Sequence, residues 1–534
     1  MALGSPAPSE SGQTKRSRKE SILAISGLCF LMMMVAVDQT VVGTTLPTII
    51  ADLKGFELYA WVATAYLLTC VITVPVFGRL GDYYGRKPFV IASILIFSLA
   101  SVGCAAAVSM EMLVAARALQ GVGGGMLIGT AFACVPDLFP DARTRLRWQV
   151  LLSASYGIAS AFGPTFGGFL TQHTGWRSVF LINLPLGFVS LYMVWRYLPY
   201  IRQVSGARVR LDWGGAILIA IGLTALQFFL EFVPRSDTGW LAVFCGVTAV
   251  LMFFALILWE RRVDNPLIPM SMFAHRGLAI MFILSFCMGL VMFSLLIYVP
   301  LLLQGGFGLN PQQVGVLITP MVVCITVGSM TNSRMVVRMS HPTRILYAGF
   351  AFLVVSCVGL MIVDEETHRA VLVAVLMGAG IGLGFILPNL NIFVQEMAGR
   401  TLLGISTAVL QSIRMVGGMV GTTLVGTVVA QCYIYFVQAL GQGEAADRWL
   451  PRLQDPQVLV NQTNQSEFVA EMQRLGLHGE PFLLAARDAL ITSIHIGLGV
   501  VLLFALVGLV WVYRMPPLQF GQPPAPPVPP KSQE

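Results

Sequence analysis

Charge is scarce in this sequence. Only 11% of its 534 residues are Asp, Glu, Lys or Arg, against about 25% in an ordinary soluble domain. A chain this poor in charge cannot clothe a water-facing surface, which excludes a soluble globular protein. Histidine is rarer still, with six residues. The nine cysteines (29, 70, 104, 134, 245, 287, 324, 357 and 432) all fall in or beside apolar runs, with neither metal-ligand spacing nor a readable disulfide framework. No metal site is therefore expected. No G-x-x-x-x-G-K-[ST] loop occurs, so an enzyme is not expected, nor is direct use of ATP or a bound cofactor. The net charge of +7 is not gathered into a groove-sized basic patch, and a nucleic-acid partner is not expected.

What the chain has is apolar length. Hydrophobic residues make up 56% of it. A membrane-spanning helix needs about 20 mostly apolar residues, and runs of that size are found fourteen times. They lie near 22–50, 57–77, 88–109, 112–135, 147–172, 177–198, 213–233, 239–259, 277–303, 312–332, 343–363, 370–394, 401–432 and 488–513. The sequence is therefore read as an all-α polytopic membrane protein, with the lipid bilayer as its surroundings. The segment 1–21 is polar and basic, and the run after it is too long for a cleaved signal, so that run is read as a retained span. The tail 514–534 is rich in proline and expected to be extended.

Lys and Arg set the orientation. With the N-terminus inside, the inner segments hold 23 of the 33 Lys and Arg residues, and the outer loops, apart from the long one at 433–487, hold 4. Both termini are thus expected in the cytoplasm of a multi-pass protein of the cell (inner or plasma) membrane. The long outer loop carries two sequons, Asn461-Gln-Thr463 and Asn464-Gln-Ser466.

One acid stands out. Asp38 lies in the first span, in VAVDQTVVG, with more than a helical turn of apolar residues before it. A charge at bilayer depth costs several kcal/mol, so an ionisable residue there is a functional hypothesis by default. The competing reading is a protonated Asp that only holds packing. Arg117, in ARALQGVGGGMLIG of the fourth span, is its expected partner, because a buried guanidinium needs a counter-charge or carbonyls. Secondary candidates are Gln120 beside it, Glu231 and Glu396 near the ends of spans, and Arg414 inside the thirteenth. Gly121, Gly125 and Gly129 recur every four residues and predict a flat face for close helix contact.

Two further stretches are specific. The inner loop GRLGDYYGRKP, Gly78 to Pro88, has Gly78, Gly81 and Gly85 for a tight turn, with Asp82 and Arg86 at its helix ends. The fifth span carries SYGIASAFGPTFGGFL, in which Gly163, Pro164, Gly167 and Gly168 combine a helix-perturbing proline with room for a neighbour.

Together these stretches resemble the major facilitator superfamily. The 78–88 loop looks like its signature between the second and third helices, where Asp82 and Arg86 match positions thought to latch the two halves on the cytoplasmic side. The segment 328–344 keeps Gly328, Arg334 and Arg338 of that pattern but lacks the acid. Arg117, Gln120 and Gly121 match the family's R-x-x-Q-G, whose Arg is implicated in proton transfer. The 163–168 stretch resembles the antiporter motif of drug exporters, as does WRSVFLINLPLG at 176–187. Fourteen spans, with VDQTVVGTTLPTI around Asp38 and LQSIRMVGG at 410–418, are similar to the fourteen-helix drug:proton antiporters.

The resemblance implies two six-helix bundles (22–198 and 261–513) with two inserted helices between them (199–260). It also implies efflux of amphipathic drugs or toxic metabolites in exchange for protons by alternating access. The proton would be the coupling ion and a small molecule the partner. The alternative is a same-fold transporter of one physiological solute, such as a basic amino acid, siderophore or secondary metabolite. A periplasmic adaptor is not readable from the sequence.

Overall fold

The structure is a computed structural model that describes residues 18–131, 134–139, 142–201, 212–233, 238–263, 266–336, 339, 341, 343–440, 446–460, 462–474 and 478–515. The basic N-terminal segment before Arg18, Arg338 of the degenerate repeat, Asn461 and most of the proline-rich tail lie outside these residues. So do the side chains of Asp82 and Arg334.

Among the described residues there are helices and no strands. In lipid a helix satisfies every backbone N–H and C=O internally, which is why apolar runs of this length fold this way. The first six long helices are α1 (Arg18–Leu53), α2 (Tyr59–Tyr84), α3 (Arg86–Ala105), α4 (Met110–Ala131), α5 (Ala142–Thr174) and α6 (Asn183–Tyr197). Next come α7 (Trp213–Phe232) and α8 (Gly239–Glu260). They are followed by α9 (Arg276–Leu301), α10 (Pro311–Val336), α11 (Arg344–Ile362) and α12 (Arg369–Gln438). Three short helices, α13 (Ala446–Leu453), α14 (Gln457–Val460) and α15 (Gln462–Arg474), precede the last, α16 (Gly479–Tyr513). We call the end of the molecule where α1 starts the near face and the end where α1 stops the far face.

Thirteen stretches among the described residues are long and apolar enough to cross a membrane, one fewer than the fourteen expected. The difference is α5. It has the length, with 33 residues, but Ser153, Ser155, Ser160, Thr165, Thr171 and a cluster of glycines dilute its apolar content. The composition suits its position, because α5 packs against α1 of the first group and α10 of the second. The two spans expected at 370–394 and 401–432 both lie in the long helix α12. That run is not straight. Gln395 Nε2 donates to Thr407 Oγ1 at 3.1 Å, whereas twelve residues of straight helix would hold the two roughly 18 Å apart. The span expected to start at 488 starts at Gly479.

The two groups of six repeat one plan. Helix α1 packs on α5 as α9 packs on the later half of α12, and α2 packs on α4 as α10 packs on the earlier half of α12. The repeat reaches single residues: Gly78 of α2 faces the Gly129 carbonyl of α4, and Gly328 of α10 faces Gly384 of α12. The predicted glycine face of α4 lies on α2, where Tyr66, Cys70 and Val74 occupy the space that side chains at Gly121, Gly125 and Gly129 would need. Between α2 and α3, Gly85 turns the chain with φ of 85°, a value that favours glycine.

Helices α7 and α8 pair with each other, and α7 lies against α2 and α12. Its Gln227 exchanges hydrogen bonds with Thr423 of α12 at 2.8 and 3.1 Å, and Phe228 meets Trp61 of α2 with ring centroids 5.2 Å apart. The long loop is folded, not open. Trp449, Leu453, Leu459, Phe468 and Met472 are buried, and Tyr433 donates to the Leu453 carbonyl at 2.7 Å.

Candidate functional site

The site is built inside the first group of helices. Asp38 on α1 and Arg117 on α4 form an ion pair, with Nη1 donating to Asp38 Oδ2 at 2.7 Å. Their side chains are 1% and 3% exposed. Removing such charges from water costs several kcal/mol per ion, which only good geometry and further hydrogen bonds offset.

Both are supplied. Gln120 Nε2 donates to Asp38 Oδ1 at 2.7 Å, and Asn183 Nδ2 donates to the same oxygen at 3.1 Å. The carboxylate therefore takes three donors from two other helices. Arg117 also donates through Nη1 to Gln120 Oε1 at 2.6 Å and through Nε to the Val62 carbonyl at 3.2 Å, and its guanidinium lies over the Tyr66 ring. Ser101 of α3 accepts from Gln120 at 2.9 Å and from Asn183 at 3.2 Å. The unit thus ties α1, α3, α4 and α6 together, with α2 contributing a carbonyl and a ring. Protonating Asp38 would leave Arg117 without its counter-charge, so the unit can register one proton as a change of internal charge.

The sequence pattern picked out Asp38, Arg117 and Gln120, with Gln120 in second rank; the structure places it on the acid. Asn183 and Ser101 were missed. Asn183 stood in the quoted WRSVFLINLPLG stretch, whereas Ser101 carries no signal in the sequence. The remaining secondary candidates are not brought here. Glu231 is half-buried on α7, on the side of Tyr298, and Glu396 is exposed near the near-face end of its span. Arg414 of α12 lies across the boundary between the two groups from Tyr156 of α5, half-buried, with its Nε shut off and no hydrogen-bond partner for it among the described residues. Tyr156 in turn donates to Gln39 Oε1 at 2.7 Å, one residue from Asp38.

Among the described residues two further carboxylates, unread from the sequence, are buried: Asp212 and Glu260. Both sit at near-face helix ends. Asp212 accepts from the backbone of Gly215 at 2.8 Å and from Trp259 Nε1 at 2.7 Å, while Glu260 accepts from the backbone of Ile268 at 3.2 Å. Asp212 caps the start of α7, and Glu260 holds the segment that follows α8.

The 163–168 stretch forms the seam between the groups. Helix α5 runs unbroken through Pro164. A side chain at Gly163 would overlap Thr40 and one at Gly167 would overlap Val41, both of α1; one at Gly168 would overlap the Pro311 carbonyl of α10. Gly315 of α10 returns the fit against the Pro164 carbonyl, and Thr165 and Thr319 bring their hydroxyls to 2.6 Å. Nearer the far face, Gln304 donates to the Thr44 carbonyl at 2.6 Å and accepts from Thr48 at 3.1 Å, and Tyr59 donates to the Ile297 carbonyl at 2.8 Å. The two groups are thus tied together in their far halves. At the near face, Lys87 donates to the Trp195 carbonyl at 2.7 Å and Arg79 donates to the Pro266 carbonyl.

The family model described as Major Facilitator Superfamily matches residues 28–422. The multidrug transporter protein MdtP of Bacillus subtilis (strain 168) is 31% identical over 422 residues, which is 79% of this chain and 76% of that one. Multidrug resistance protein 3 of the same organism is 31% identical over 423 residues, 78% of this chain and 81% of that one. Among solved structures, a bacterial homolog to human lysosomal transporter Spinster, in an inward-facing and unoccupied conformation, superposes with a TM-score of 0.67. The match is 13% identical and covers 94% of this chain and 98% of that one.

Proposed function

Because this chain belongs to the major facilitator superfamily, we propose that it exports amphipathic drugs or toxic metabolites in exchange for protons, with Asp38 as the proton-carrying acid and Arg117 as its counter-charge. One observation carries the reading: the 2.7 Å pair of Asp38 and Arg117, which joins α1 to α4, is buried, and is hydrogen-bonded to Gln120 and to two further helices through Val62 and Asn183. A packing-only Asp needs no buried cation. The multidrug names of the two Bacillus relatives support export.

The near face is assigned to the cytoplasm of a cell membrane, following the excess of Lys and Arg on that side. A proton entering from the far side discharges Asp38 and frees Arg117, and the strained unit favours the arrangement in which the substrate has left. Deprotonation toward the near side restores the pair. Each inward proton is worth about 2.3 kcal/mol per 100 mV of membrane potential, besides the pH difference. The groups would rock about the α5–α10 seam, and Asp82 and Arg86 would belong to the near-face latch. Arg414, Glu231 and Glu396 are held in reserve as coupling groups.

The test is dye efflux in inverted vesicles under an imposed pH gradient, comparing wild type with Asp38→Asn. Gradient-driven transport that disappears in the variant supports the reading. Transport that persists moves the coupling to another residue.

A further inference from the structure

At the far face a cavity of about 660 Å³ lies between the two groups of helices, beneath α14 and α15. Its size is that of a site for a drug-sized molecule. The walls come from the far ends of α1 and α5, the segment joining α9 to α10, and the start of α16.

Its charges do not balance. The one acid among the described lining residues, Asp52, already accepts from Trp176 Nε1 at 2.8 Å and from Arg177 Nη1 at 3.1 Å. Arg177 also donates to the Ala107 carbonyl. Arg487 of α16 has no such partner. Among the described residues its Nη2 reaches only Gln465 Oε1, at a long 3.4 Å, and its Nε is closed off from solvent with no hydrogen-bond partner. The guanidinium lies beside Gly308, whose missing side chain leaves it room. A cation with unused donors, facing a polar cavity in which the acid is already taken, is built for an incoming anion.

We propose that this cavity binds an amphipathic organic anion, with Arg487 holding the carboxylate or sulfonate and helices α14 and α15 as its roof. Placing the site on the export route rests on the transport reading above; the binding itself does not. The site would receive cargo as it leaves toward the far side. It also gives the long loop a task, since α14 supplies Leu459 and Val460 to the cavity and α15 supplies Gln465.

The experiment is equilibrium fluorescence anisotropy on the purified full chain in detergent, without any gradient, so its outcome is independent of proton coupling. The probes are fluorescein, an anion, and rhodamine 6G, a cation of the same ring system. The proteins are wild type, Arg487→Gln, and Thr174→Trp, which adds bulk to the cavity lining at an exposed position on another helix. Wild type is expected to bind fluorescein in preference to rhodamine 6G. Both variants should weaken fluorescein about tenfold or more, the scale of one lost charge-assisted contact. Rhodamine binding should not respond to Arg487→Gln. The proposal is overturned if wild type does not bind fluorescein, if the cation binds as tightly, or if either variant binds fluorescein like wild type.

Discussion

Gly168 of α5 and Pro311 of α10 are so close that no side chain could stand between the glycine and the proline's carbonyl. The same is true in reverse of Gly315 and the Pro164 carbonyl. Two backbones from different halves of the chain therefore meet without intervening side chains, and small residues are what permits this approach in a membrane.

Placing leucine at Gly168 must push α5 away from α10. We expect Gly168→Leu to lower the melting temperature of the purified protein and abolish dye efflux. Gly239→Ala, at the start of α8 where no neighbour lies within reach of an added Cβ, is the control and should leave both melting temperature and efflux unchanged. Efflux that survives Gly168→Leu would show that the seam tolerates separation.

The hydroxyls of Thr165 and Thr319 are 2.6 Å apart across that seam. A Thr165→Cys/Thr319→Cys variant is expected to cross-link under mild oxidation, to stop efflux when cross-linked, and to recover on reduction. The comparison is drawn in a background lacking the nine native cysteines. A fully cross-linked protein that still transports would place the moving boundary elsewhere.

Removing one member of the buried ion pair should cost more than removing both. Arg117→Gln leaves Asp38 buried without its cation, a loss of about 3–5 kcal/mol, whereas a matched replacement of both charges is close to neutral. Thermal melting should therefore rank Asp38→Asn/Arg117→Gln above Arg117→Gln, while neither variant restores gradient-driven efflux. A double variant no more stable than the single one would mean the pair is not the dominant interaction there.

Asn183 and Ser101 hold the acid from α6 and α3. Asn183→Leu should destabilise the protein by about 1–3 kcal/mol, since it strips a donor from a buried carboxylate, and should reduce efflux. Ser101→Ala should have a smaller effect on both, because it touches the acid only through its neighbours. Equal effects in the two variants would contradict this order.

How far the sequence could be read depended on which physical signal each residue carries. A carboxylate or guanidinium in an apolar run is visible because its cost is large; that identified Asp38 and Arg117, and their separation of 79 positions did not hide the pair. Asn183 and Ser101 are uncharged, and an amide or hydroxyl in a span is too common to single out. The span expected at 147–172 is present as α5, but its apolar signal is the weakest of the fourteen, for a related reason. A helix wedged between two others needs small and hydroxyl residues, so the helix that forms the seam between the two groups is the one whose composition looks least like a membrane span. The order of helices could be read from the apolar runs, but the fold of 433–487 could not, because its buried Trp449, Phe468 and Met472 are spaced among polar residues.

The α2–α12 boundary has one more consequence, which concerns the bilayer itself. Gln227 grips Thr423 through a buried two-way hydrogen bond, while the contact of Phe228 with Trp61 is apolar and without fixed direction. In the rocking cycle proposed above, the directional bond would be the anchor and the ring contact the sliding surface, so that α7 would travel with α12 and glide over α2. That flank would then stay closed to a molecule dissolved among the lipid tails.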